Sequence, residues 1–118
     1  AANNSMVFVG SSGNFVNINN GGLVFSPAPA AATGFFIAQR VGANDLEAYR
    51  DGTLYGSDNA NASEAVANNN FVALQTSGGN FSNAQIASMS IGALLSAPQI
   101  AAYVAAELAY MQAVGAVA

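Results

Sequence analysis

The 118-residue chain contains no cysteine and no histidine. These absences exclude disulfide bonds, thiol catalysis, the usual Cys/His zinc sites and the general base that enzymes use most often. A chain without thiols gives no information on its redox compartment. The fold must therefore be held by burial and hydrogen bonds, and we expect neither a cofactor nor an enzyme.

Positive charge is almost absent. The chain has no lysine, and Arg40 and Arg50 are its only cationic side chains against six carboxylates, which gives a net charge of −4. A nucleic-acid backbone would find little counter-charge on such a surface. The sequence therefore predicts no binding to nucleic acid.

Long apolar runs are absent as well. No segment approaches the ~18 consecutive apolar residues of a membrane span. The first five residues, AANNS, have neither the basic nor the apolar region of a signal peptide. We expect no membrane partner, and because the first residue is not methionine we expect a processed chain or part of a longer polypeptide.

The residues that are present indicate one ordered domain over 1–118. Hydrophobic residues make up 53% of the chain and charged residues only 7%. This length can bury a single core. The surface must then be built from Asn, Ser, Thr, Gln and Gly, which favours a protein whose faces meet other copies.

Short apolar runs alternate with turn clusters every 8–12 residues, a spacing typical of an all-β sandwich or barrel. The predicted strands are eight: 6–9, 15–18, 23–25, 35–41, 46–50, 53–57, 71–76 and 85–91. The Pro/Ala-rich segment 27–33 is predicted to link sheets, because its prolines favour extended backbone. Residues 59–70 are predicted to form a surface loop.

The strongest local signal is Asp51-Gly52 between two alternating runs, LEAYR and TLYGS. Both residues tolerate the positive φ angles of a type I′ turn, so the sequence predicts a tight hairpin. The predicted cross-strand pairs are Arg50 with Thr53, Tyr49 with Leu54, and Ala48 with Tyr55.

A C-terminal helix is predicted over 97–114. Ser96 is a capping residue, Pro98 lies in the first turn, Gln99 is at N3, and Gly115 is suited to end the helix. The predicted buried stripe consists of Ile100, Tyr103, Val104, Leu108 and Met111. The opposite face is alanine, and it is either simply a helix-forming surface or a contact for a neighbouring subunit through Ala101, Ala102, Ala105 and Ala109.

Several of these segments, taken in order, resemble a known family. They are GFFIAQR at 34–40, LEAYRDGTLYGS at 46–57, FVAL at 71–74 and ASMSIG at 87–92, followed by the helix that opens at Ser96. They are similar to the C-terminal part of concanavalin A-like (laminin-G-like) jelly-roll domains, of the kind found in phage and other virion proteins. The resemblance covers residues 34–114. It implies an antiparallel jelly roll whose earlier part belongs to another stretch of polypeptide, and it implies a role in a virion.

Glycoside hydrolysis needs two carboxylates across a cleft. Asp45 and Glu47 are the nearest pair, two residues apart in a predicted strand. The Glu-x-Asp-x-x-Glu strand motif of some concanavalin-like glucanases is missing here. An accessory fragment of a glucanase-like protein is therefore only the third interpretation.

A calcium ion takes several oxygen ligands from carboxylates, amides and carbonyls. Asp58, Asn59, Asn61 and Glu64 form the one acidic loop cluster of the sequence. These four residues are the predicted ligands of a calcium ion. The alternative is an ordinary polar loop, which has the same composition.

Carbohydrate or receptor binding is the second interpretation, since sugars stack on aromatic rings and hydrogen-bond to amides. The candidate ligand-binding residues are Tyr49, Tyr55, Asn68, Asn69 and Asn70. Tyrosines on half-buried strands also commonly pack against their cross-strand neighbours. The first interpretation remains a non-enzymatic structural protein of a virion, located in the virion or outside the cell.

Overall fold

The computed structural model describes residues 4–10, 13–20, 34–65 and 86–116. These residues form two antiparallel sheets and one C-terminal helix. The strands are β1 (Asn4–Gly10), β2 (Gly13–Asn20), β3 (Phe36–Arg40), β4 (Leu46–Arg50) and β5 (Thr53–Asp58). The helix is α1 (Ala97–Ala113). The predicted antiparallel, sheet-rich class with a terminal helix is confirmed.

The prediction of eight strands is not met in the described part of the chain, which has five. Predicted strands 23–25 and 71–76, like the predicted link 27–33, lie outside the described residues. Residues 86–91 are described and are not a strand, so the prediction of a strand at 85–91 is wrong for these residues. Apolar residues on both sides of that run fit a central strand, but they fit an extended segment lying on a helix equally well.

The first sheet is the hairpin of β1 and β2, with Gly10 paired to Gly13 and Val7 paired to Val16. The register shifts between Asn4 and Met6. The second sheet has the order β3-β4-β5. Its middle strand is the most covered, and Leu46, Ala48 and Tyr49 are all buried.

The β4–β5 hairpin turns as predicted, because Asp51 has φ +50° and Gly52 has φ +82°. Arg50 pairs with Thr53 and Tyr49 with Leu54, which confirms the first two predicted pairs. The third is wrong, since Ala48 pairs with Gly56 and the register shifts there. The bulge adds one residue to β5 and strengthens the local twist.

The helix begins where its capping residues predict. Oε1 of Gln99 accepts hydrogen bonds from the backbone N–H and the hydroxyl of Ser96, at 2.8 and 2.9 Å. At the other end Gly115 has φ +72° and donates to the carbonyl of Gln112, while Ala116 donates to that of Met111. These two bonds form a Schellman motif, which requires the left-handed residue that glycine supplies.

The first half of α1 contacts the β4–β5 turn and Phe35, the residue before β3. Ile100 is fully buried, and the turn residue Gly52 approaches Ala101 and Val104. The rings of Phe35 and Tyr103 meet edge to face at 5.6 Å. Leu108 does not lie in the buried stripe as predicted, because half of its surface is exposed.

In the described part of the chain, no helix has the length and apolar character that crossing a bilayer requires.

Candidate functional site

The segment before α1 is held against the second sheet by one side chain. The Gln39 amide accepts from the backbone N–H of Leu95 at 3.2 Å and donates to the Leu95 carbonyl at 3.1 Å. A side-chain amide can donate and accept at the same time, so it can pair with a backbone N–H and carbonyl as a neighbouring strand would. Gln39 therefore joins Leu95, two residues before α1, to β3.

The same segment runs beside α1. The hydroxyls of Ser90 and Tyr103 are 2.6 Å apart, and the Tyr103 hydroxyl donates to a carboxylate oxygen of Glu107 at 3.1 Å. Ser88 and the helix residues Tyr103, Glu107 and Tyr110 line a common cleft. Segment and helix are thus in contact near Ser88, Ser90 and Tyr103.

The segment and the helix expose large apolar side chains, and we refer to the following six as the apolar surface. Its members are Ile86, Met89, Ile91, Leu94, Leu108 and Val114. Ile91 is 77% exposed, and each of the others has about half of its surface in solvent. Exposed apolar side chains that occur together mark contact sites on soluble proteins.

The predicted interface alanines lie on the exterior of the helix. Ala101, Ala102, Ala105 and Ala109 are all exposed. Their exposure fits either of the two interpretations, a helix-forming surface or a subunit contact. Their role in an interface stays a prediction.

A second cleft, of about 330 Å³, lies between the ends of β4 and β5. It is lined by Val41, Asp45, Leu46, Glu47, Ser57, Asp58 and Asn59. The structure therefore brings the carboxylate pair Asp45 and Glu47 to one cleft together with Asp58. Oε2 of Glu47 already accepts from Nε2 of Gln39 at 3.2 Å and from the Tyr49 hydroxyl at 2.7 Å.

The predicted sugar-stacking residue Tyr49 is 7% exposed, so its ring offers little surface to a ligand. Its hydrogen bond to Glu47, its burial and the negative charge of Glu47 raise the pKa of Tyr49 above its ordinary value of 10.0. Tyr55 is half-buried on β5. Asn68, Asn69 and Asn70 lie outside the described residues.

The predicted calcium residues lie in the loop after β5. Oδ1 of Asp58 accepts from the backbone N–H of Ala60 at 2.7 Å, and both carboxylate oxygens of Asp58 are 3.4 Å from Nδ2 of Asn61. Asn59 and Glu64 are exposed. No group of three or more Asp, Glu, His or Cys residues in the described part of the chain is placed to hold a metal ion.

The sequence did not identify the apolar surface. Residues 86–91 alternate in a way that suggested a strand, and only the position of the helix shows which side chains remain uncovered. The sequence does contain a signal for the cleft residues of the helix. The spacing i, i+4, i+7 places Tyr103, Glu107 and Tyr110 on one helix face.

Comparisons of the chain with protein-family models, with curated proteins and with solved structures found no match.

Proposed function

We propose that this protein is a non-enzymatic structural component that assembles with other copies of itself and with other chains. The apolar surface carries the proposal. Its six exposed side chains lie on the helix and on the segment before it, which Gln39 hydrogen-bonds at Leu95. Fully burying an exposed side chain of this size is favourable by about 1.5–3 kcal/mol, and a member that is already half-buried gains about half of that before the entropic cost of association.

Charge supports the same proposal. Only eight residues of the chain are charged, two basic and six acidic. Charged residues are depleted at the centres of protein interfaces. A surface with few charged groups avoids the high cost of desolvating charge when another protein covers it.

We further propose that the assembly is a virion, in which the protein decorates the capsid of a phage or belongs to its tail. The resemblance of the hairpin at 46–57 and of the helix that opens at Ser96 to virion jelly-roll domains supports this setting, although residues 87–92 are not the strand that the resemblance implied. In such an assembly β3, β4 and β5 are the later part of a jelly roll, which another copy or another chain completes. Antibody labelling of particles purified from the source organism tests the setting; particles that stay unlabelled contradict it.

Light scattering after size exclusion tests the assembly itself. Ile91→Asp places a charge on the most exposed member of the apolar surface, and we expect it to lower the mass measured at a given concentration. Ala43→Asp adds the same charge in the exposed β3–β4 turn and serves as the control. The proposal is contradicted if both variants keep the wild-type mass, or if the wild type is itself a monomer.

A further inference from the structure

A cleft of about 270 Å³ lies between α1 and residues 86–95, beside the apolar surface. It is lined by Ser88, Tyr103, Ala106, Glu107 and Tyr110. Two tyrosines and one carboxylate thus share a small cleft. Tyr110 is 60% exposed, so the cleft is open to a partner.

Glu107 is half-buried in this cleft, and its one described hydrogen bond comes from the neutral hydroxyl of Tyr103. The chain has only two cationic side chains, and both are used in the sheet. Arg40 donates to three backbone carbonyls, and Arg50 lies 3.6 Å from Asp51 and over the ring of Phe36. Among the described contacts, neither arginine forms an ion pair with Glu107, so a positive side chain at this carboxylate would come from another molecule.

We propose that this cleft binds a basic side chain of a different protein chain. A carboxylate attracts an ammonium or guanidinium group, and tyrosine rings add cation–π attraction. The apolar walls suit the methylene stem of lysine or arginine. The volume is below the roughly 300–1,000 Å³ of most small-molecule sites, and so it fits one side chain.

A second copy of this chain does not supply that side chain, because its two arginines make the same internal contacts. The inference rests on the proposed assembly role and adds the chemistry of a partner other than the chain itself. Such a contact gives orientation and selectivity at the edge of an apolar interface.

The test is a titration followed by amide chemical shifts, with N-acetyl-lysine methylamide as the probe. The matched neutral probe carries an acetyl group on the side-chain nitrogen. We expect saturable shifts at Ser88 and along residues 103–110 with the charged probe and much smaller ones with the neutral probe. Equal shifts with both probes, or no saturable shift at tens of millimolar, overturn the proposal.

Two variants assign the effect to the cleft. Glu107→Gln keeps the shape of the side chain, and we expect it to weaken binding about fivefold or more, the equivalent of ~1 kcal/mol. Glu64→Gln removes the same charge from an exposed loop and is expected to bind as the wild type does. Unchanged binding in Glu107→Gln overturns the proposal; if that variant does not fold, Tyr110→Ala must weaken binding instead.

The outcome is distinguishable from failure of the assembly role. Glu107 is outside the apolar surface, so the mass of the protein in solution is measured independently of probe binding. An oligomer that ignores the charged probe retains the assembly role and loses this inference. A monomer that binds the charged probe retains this inference and contradicts the assembly role.

Discussion

Arg40 shows how this chain uses its scarce positive charge. Its guanidinium donates to the carbonyls of Ile18, Ala43 and Asn61, at distances of 2.7 to 3.1 Å. These carbonyls belong to β2, to the β3–β4 turn and to the loop after β5. One side chain therefore joins the two sheets, which charge composition alone does not predict.

Residue-scale predictions from the sequence succeeded where the cause was local. Asp51 and Gly52 adopt positive φ angles because the turn requires them, and Gln99 caps the helix because it lies three residues after Ser96. The predicted burial of Leu108 failed because it depends on which part of the chain lies against that turn of the helix. Tertiary position of that kind is not encoded in periodicity.

Tyr49 gives a prediction on pH. Its pKa is raised in the folded protein, so its contribution to stability is fully present below pH of about 10 and is lost as pH rises through the folded pKa. We expect Tyr49→Phe to lower the free energy of unfolding at neutral pH by about 1–2 kcal/mol, because Glu47 loses a hydrogen bond. The variant should also lose less stability than the wild type above pH 10.

Urea unfolding at neutral and at alkaline pH measures both effects. The explanation fails if Tyr49→Phe and the wild type lose the same free energy of unfolding between the two conditions.

At the scale of elements, the β4–β5 hairpin and α1 form a unit. The turn residue Gly52 lies under the first half of the helix, close to Ala101 and Val104. The hairpin and the helix were both predictable, because turn and capping signals lie within a few residues. The bulge opposite Ala48 and the non-strand conformation of 86–91 were not, since both depend on contacts distant in sequence.

Gly52→Ala tests the turn. A Cβ there would lie 3.7 Å from the Cα of Ala101, an ordinary contact, so its cost arises from the positive φ. We expect a loss of about 1–2 kcal/mol in the free energy of unfolding. Gly92→Ala is the matched control, because nothing lies within 4 Å and its φ is not in that range. Equal losses in both variants would show that the turn conformation is not responsible.

The loop after β5 gives the prediction on metal removal. Protein groups already hold it: Arg40 binds the Asn61 carbonyl, Ser63 donates to the Ala43 carbonyl, and Glu64 donates to the Asn19 carbonyl. We therefore expect EDTA to leave the melting temperature unchanged. A decrease that added calcium reverses would instead support the predicted ligands Asp58, Asn59, Asn61 and Glu64.

At the scale of the whole molecule, the apolar surface is the feature that bears on association. Its six side chains are exposed to solvent, Ile91 most of all. Association that covers exposed apolar side chains is favourable, which is the basis of the proposed role.

The most direct measurement of that role is the mass of the unmodified chain in solution by sedimentation velocity over a range of concentrations. One chain has a mass of 11.8 kDa. The account predicts a stable oligomer, with at least twice that mass at micromolar concentration. A folded monomer at every concentration would contradict it.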